Sequence, residues 1–270
     1  MNLKVTRLRL PAISLQIKLN VISALFLRET KTRFGENRLG YIWAFLEAIL
    51  HTLVFVGLRK VLGMSAPPGI PMSLYLLVGI VPFMMFRQTA QQIMNCVRGN
   101  KAMLVFPQIG IFELAFSRAL LEFVTMTVVM WSLVLGVYLC GNSFRVQDPL
   151  LVLSYFFLFS LLGMGVGFVL LSLTSIIPVM EDIWQLSGRI LYFSSGIIIT
   201  ADRIPSQYYD ELAWNPLFQL VEMMRTAFFR AYDSSQHFND IGYIMWWVGG
   251  LWLTGLVLQK KTLWWILQKQ

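Results

Sequence analysis

The sequence predicts an all-α integral membrane protein, a single domain over 1–270 with six transmembrane helices. Three observations carry that prediction. Of 270 residues 57% are hydrophobic and only 13% charged, with a mean hydropathy of +0.64, whereas soluble domains carry about 25% charge. A soluble chain of this size could not hide so much apolar surface. The apolar residues fall into six stretches long enough to cross a bilayer, near 39–61, 72–94, 112–140, 149–175, 183–200 and 241–258, and a span takes about 17–25 residues. The charges gather between those stretches. Each stretch must be helical, because a lone strand leaves its backbone polar groups unpaired in lipid.

Residues 13–27, ISLQIKLNVISALFL, precede the first span and are too short and too interrupted to cross. Leu15, Leu19, Ile22 and Phe26 recur at helical spacing, which predicts a helix in the interface plane held by its basic flanks to anionic headgroups. The cluster that follows, with Arg28, Lys31, Arg33 and Arg38, runs directly into the first span. SAPPGIP at 65–71 is a turn-rich connection. The third span carries Glu113, Arg118 and Glu122 in its first half, which predicts that this half protrudes from the bilayer and that Arg118 and Glu122 pair at i,i+4. In the fourth, Gly163 and Gly167 form a small-xxx-small pair around Gly165, permitting close helix approach.

Between the last two spans, Asn215 before Pro216 marks a helix start, Asn as cap and Pro preset at the first helical position. Leu217, Leu220, Val221, Met224 and Phe228 then share a face, and Glu222 sits three residues from Arg225. Two readings stand: a surface helix on the outer leaflet, or a short helix dipping into it to shape an exit.

Basic residues set the orientation. Sixteen fall on the side of the N-terminus, the 87–118 connection, Arg189 and the C-terminus, and six on the other. Both termini are therefore expected in the cytoplasm. The net charge of +8 and pI of about 9.7 reflect this bias and give no reason to expect nucleic acid as a partner. Cys96 and Cys140 fall on opposite sides, so no disulfide is expected.

No glycine is followed by lysine, so the chain has no GxxxxGK[ST] phosphate loop. HExxH and CxxC are also missing, and His51 and His237 lie far apart, so neither catalysis nor a metal site is expected. Ionisable residues within spans usually face a cavity or a partner. Glu47 and His51, at i,i+4 in the first span, are read as a mutual hydrogen bond, as lining of a conduit, or as a proton relay. Arg189 in the fifth span either snorkels to the inner headgroups or faces a cavity and meets an anionic substrate. Of 38 aromatic residues, Trp246, Trp247, Trp264 and Trp265 fit an interfacial belt; others are candidates to pack on sugar faces. The connection 95–111 carries Arg98, Lys101 and the apolar run Met103 to Phe106, stopped by Pro107. Apolar residues beside charge outside the bilayer suggest partner docking, against a plain loop packed under its own spans.

RETKTRFGENRLGYIWAFLEAIL (28–50) resembles the approach to the first span in permeases of type-2 ATP-binding-cassette exporters. The similarity is greatest to the branch that exports capsular and other cell-surface polysaccharides. NPLFQLVEMMR (215–225) is similar to that family's motif before the final span. The resemblance implies a homodimer with two separate ATPase subunits beneath it in the bacterial inner membrane. ATP and Mg would bind those subunits, and this chain would bind no cofactor. It implies that 13–34 is the interface helix, 98–108 the coupling helix and 201–232 the outer-leaflet helices. Arg28, Lys31, Arg33, Arg98, Lys101 and Phe106 would dock the ATPase. The cargo would be a lipid-linked polysaccharide, in the capsule branch acidic and phospholipid-linked, passed on to periplasmic and outer-membrane export proteins. Glu47 receives no role from the resemblance. Other cargoes on the same architecture are O-antigen, teichoic acid or a small hydrophobic compound. A membrane-embedded transferase acting on lipid-linked sugar would have to draw its site from Asp202, Asp210, Glu211, Asp233, His237 and Asp240. A scaffold or channel without an ATPase is the third class.

Overall fold

The computed structural model describes residues 11–34, 39–106, 108–198, 201, 204–232 and 238–268, and its regular elements are all helical. They run α1 (Pro11–Phe34), α2 (Leu39–Val61), α3 (Met72–Met94), α4 (Ile111–Leu139), α5 (Pro149–Ile176), α6 (Met180–Ser194), α7 (Tyr209–Ala213), α8 (Pro216–Phe228) and α9 (Ile241–Gln268), with single 3-10 turns at Lys101–Met103 and Ser206–Tyr208.

α3 is the axis of the bundle, buried along most of its length, with α5 packed against it. The glycines of α5 explain how closely they meet. A Cβ on Gly163 would lie 2.6 Å from the Phe86 carbonyl oxygen, and one on Gly167 would lie 2.7 Å from the Ile93 Cβ. Gly165 points the other way and receives α9, where a Cβ would stand 2.8 Å from the Leu251 Cβ. Gly255 of α9 returns the fit against Phe168. Three glycines at alternate positions thus thin two faces of one helix. The indole of Trp252 ties α9 to α5 by donating to the Leu161 carbonyl at 2.9 Å. α2 and α9 leave most of their surface outward.

Among the described residues five helices are long and apolar enough to cross a membrane: α2 from Ile42, α3, α4, α5, and α9 to Thr262. The sixth expected span, 183–200, is not among them. α6 has only 15 residues, a rise of about 22 Å against a hydrocarbon core of about 30 Å. It carries Glu181 and Asp182 in its first turn and stops at Ser195, where Gly196 takes a left-handed φ of +73°. Hydropathy counted Ile197 and Ile198 as more of the span, but they lie buried in the core beyond that turn. α6 still runs between opposite ends of the bundle. Arg98, just past α3, bonds Glu181; the carbonyls of 196–198 accept from Arg225 of α8 and from Arg59 near the end of α2. Backbone freed from a helix at membrane depth needs protein partners, and these two guanidiniums provide them.

Of the two readings of α8, burial of both its sides speaks against the surface helix. Asn215 caps it as expected, accepting from the Leu217 N–H at 3.0 Å with Pro216 at the first position. Leu217, Leu220, Val221, Met224 and Phe228 all bury, and so does the opposite side, including Glu222 and Arg225. The connection between α4 and α5 lies along its end, Gln147 and Asp148 donating to the Phe228 and Ala227 carbonyls. Along α1, Leu25 is buried, Ile22 and Phe26 are half-buried and Leu19 is 58% exposed, and the Leu15 side chain is outside the described residues. Ion pairs seat α1: Lys18 on Glu113 at 3.3 Å and Glu29 on Arg118 at 3.4 Å.

Candidate functional site

Three helices that meet beside the core bring their polar residues together. α2 contributes Glu47 and His51; α3 contributes Phe83, Met84, Arg87, Gln88 and Gln91; α6 contributes Gln185 and Tyr192. They line an open cavity of about 220 Å³. Helical spacing produces it, because Met84, Arg87, Gln88 and Gln91 form one stripe of α3 and Glu47 and His51 one stripe of α2. Gln88 donates to the Glu47 carboxyl at 3.3 Å, Gln185 to Gln91 at 3.1 Å, and Arg87 to Gln185 at 3.4 Å. The longer of these sit at the weak end of hydrogen-bond geometry, so the groups retain capacity for a guest. Aromatic rings form the rest of the wall: Tyr192 stacks on Phe55 at 5.1 Å and meets Phe83 edge-on at 5.1 Å.

Glu47 and His51 therefore share a cavity, but their side chains do not bond each other. The imidazole Nδ1 lies 3.3 Å from the Glu47 backbone carbonyl, and the carboxyl goes to Gln88. Arg189 is exposed and outside the lining, although Gln185 and Tyr192 stand one turn on either side of it along α6. Arg87 stands in the lining instead. Sequence reasoning counted Arg87 only as a flanking charge. The signal it missed is the polar stripe Arg87, Gln88, Gln91 inside an otherwise apolar helix. Next to this cavity the outward face of α2, with Trp43, Leu46, Leu50 and Val54, forms a shallow apolar hollow that shares Glu47 and His51 with it.

At the end of the bundle reached by the α3–α4 connection, side chains bind that connection to two helices. Asn100 accepts from Arg28 at 2.6 Å and donates to Glu29 at 2.9 Å. Arg28 also reaches Met103, and Arg98 bonds Glu181 at the start of α6. Arg118 pairs with Glu29 and donates to the Gln92 carbonyl at 3.1 Å, in place of the expected partner Glu122. The described residues of the segment expected as a helix over 98–108 form turns around the 3-10 turn at Lys101–Met103. Val105 is 80% and Phe106 59% exposed at its tip. Lys31 is exposed; the side chains of Arg33 and Lys101, and all of Pro107, lie outside the described residues. Cys96 is buried beneath this junction, and burial pushes its thiol up to about 12, with Arg118 pulling the other way.

At the opposite end, Glu222 and Arg225 pair at 2.8 Å with both side chains fully buried. Tyr232 donates its hydroxyl to the other Glu222 oxygen. Burial, and next the Glu222 charge, raise that phenol well above the usual tyrosine range, which keeps it a donor. The Arg225 guanidinium lies 4.2 Å from the centre of the Tyr75 ring, and Arg59 5.4 Å from the same ring. Of the acidic residues considered for a transferase, Asp210 and Asp240 border a cleft with Trp214, Gln219 and Tyr243; Asp202, Asp233 and His237 lie outside the described residues. Among the described residues no cluster of three or more His, Cys, Asp or Glu could hold a metal.

Residues 20–229 match the ABC-2 type transporter family. The polysialic acid transport protein KpsM of Escherichia coli is 32% identical over 213 residues, 79% of this chain and 83% of that one. The capsule polysaccharide export inner-membrane protein BexB of Haemophilus influenzae is 26% identical over 248 residues, 92% of this chain and 93% of that one. The corresponding protein CtrC of Neisseria meningitidis is 26% identical over 232 residues, covering 86% and 87%. With the family's match running from α1 through α8 across a bundle of membrane-length helices, the chain belongs to the ABC-2 type transporters.

Proposed function

We propose that this chain is the inner-membrane permease of a capsule polysaccharide exporter, two copies of which form the passage while separate ATPase subunits supply the energy. The observation that carries the reading is the gathering of Glu47, His51, Arg87, Gln88, Gln91 and Gln185 into one open cavity between two membrane-length helices and α6. Such groups are too costly to leave against hydrocarbon, so they face water, cargo or a second copy. Amide, carboxylate and guanidinium groups match the hydroxyls and acids of a sugar, and Tyr192, Phe83 and Phe55 offer rings for its apolar faces. The capsule exporters among its relatives cover most of the chain. The apolar hollow on α2, beside the cavity, suits closure by the second copy.

The ATPase would dock on the exposed tip at Val105 and Phe106, and Lys31, Arg33 and Lys101 are the basic residues expected to take part. Arg28 and Arg98 contribute by holding that tip to α1 and α6. The charge bias supports a cytoplasmic position for both termini. The same architecture could carry O-antigen or teichoic acid; the polar lining argues against a small hydrophobic compound. The test is deletion of the gene and complementation in an encapsulated strain. Loss of surface polymer, its accumulation inside, and recovery of the ATPase with the tagged permease are expected. Normal surface polymer in the deletion strain would sink the reading.

A further inference from the structure

We infer that Arg87 is the residue through which the cavity holds an oxyanion of its cargo, a carboxylate or a phosphate, and that position 188 is kept bare to seat it. The inference rests on the reading that this cavity lines the passage. Arg87 has five N–H donors, and among the described residues its one side-chain bond is the 3.4 Å contact to Gln185. Among the described residues no carboxylate stands within ion-pair distance of it, and the nearest acid of the cavity, Glu47, accepts from Gln88 instead. A guanidinium within a membrane-length helix with donors in reserve is costly unless something visits it.

Its placement is specific. A Cβ on Gly188 would lie 2.2 Å from the Arg87 Cζ and 2.3 and 2.6 Å from its two terminal nitrogens. The guanidinium therefore lies on bare backbone of α6, in a notch that any side chain at 188 would fill. Held there, the planar fork can give two parallel N–H bonds to one carboxylate or phosphate, which a lysine cannot. The groups around it are Glu47 and His51 from α2, Gln88 and Gln91 from α3, and Gln185 and Tyr192 from α6. Glu47 is the counter-charge in this set. It keeps the oxyanion's hold weak, as a passage requires if what enters must also leave. Arg87 and Glu47 are thus expected to act with opposite signs on affinity.

The experiment uses the permease with its ATPase in nanodiscs of neutral lipid, measuring stimulation of ATP hydrolysis. One arm adds a hexuronic acid oligosaccharide or its carboxyl-reduced counterpart; the other adds short-chain phosphatidylglycerol or phosphatidylcholine. The wild type is expected to respond to the acidic member of at least one pair, and the responding arm identifies carboxylate or carrier phosphate as the source. Arg87→Gln should raise the half-stimulating concentration roughly tenfold or more, the scale of a charged hydrogen bond; Arg87→Lys should recover part of it. Glu47→Gln should lower that concentration while slowing export, a change that destabilisation would not produce. Gly188→Ala should reproduce Arg87→Gln, and the double variant should be no worse than either single. Equal responses of wild type and Arg87→Gln in both arms would overturn the inference, as would a wild type stimulated equally by acidic and neutral members. Those results leave the export reading intact, since that reading fails separately if the deletion strain keeps its surface polymer.

Discussion

The Arg225 Nη1 of α8 lies 2.9 Å from the backbone carbonyl oxygen of Gly196, immediately past the last turn of α6. The second terminal nitrogen reaches the Ile197 carbonyl at 3.3 Å, and Arg59 takes the next, that of Ile198. The three residues left without helical partners thus form a short ladder against two buried cations, and Glu222 balances one of them at 2.8 Å. Replacing Arg225 with Met would leave the Glu222 carboxyl and the Gly196 carbonyl without this donor. A cost of about 3–5 kcal/mol is expected for breaking a buried pair on one side. Thermal unfolding of the detergent-solubilised protein should show it, with faster proteolysis around 195–201. An unchanged melting temperature would contradict the role given to this pair.

Helix approach between α3 and α5 depends on glycine at two places, Gly163 and Gly167. Gly163→Ala drives a methyl group into the Phe86 carbonyl, whereas Gly249 on α9 has nothing within 4 Å of the same added atom. Overpacking of this kind costs about 1–3 kcal/mol. Gly163→Ala should lower the unfolding temperature measurably and Gly249→Ala should not. Equal effects would mean that the glycines of α5 are ordinary helix residues.

Arg98 and Glu181 form a half-exposed pair between the α3–α4 connection and the first turn of α6. Such pairs contribute about 0–1 kcal/mol to stability, so loss of this one should hardly change folding. Its position matters more, because α6 carries Gln185 and Tyr192 into the cavity. Arg98→Glu or Glu181→Arg should cut cargo-stimulated ATP hydrolysis severalfold, and the double exchange should restore most of it. Failure of the exchange to restore stimulation would show that the two side chains do not act as a pair.

The two cysteines report on sidedness. Cys140 is exposed at the end of α4, whereas Cys96 is buried with its thiol pushed up to about 12. Thiolate is the reactive form, so at neutral pH Cys96 should label only after denaturation. A membrane-impermeant maleimide added to spheroplasts should modify wild-type protein and leave Cys140→Ser unmodified. Labelling of Cys140 only from the cytoplasmic side would reverse the proposed orientation.

The helical membrane class, most of the element bounds and the Asn215 cap were legible because each depends on neighbours in the chain. The candidate site was half legible. Glu47 and His51 stood out as polar residues in an apolar run, while Arg87 hid among charges near a span end and Gln185 in a helix with many polar residues. The paired charges divided the same way. Glu222 and Arg225 meet as their spacing predicts, whereas Arg118 leaves Glu122 for Glu29.

Periodicity and hydropathy alone determined that this chain is a bundle of membrane helices with glycines at a tight crossing, since those properties are local sums over consecutive residues. Only the tertiary structure decided that α6 stops short, that α8 is buried, and that Arg87 rests on Gly188. Each of these depends on which distant group arrives to satisfy a carbonyl, a charge or a gap, and no window along the sequence contains both partners.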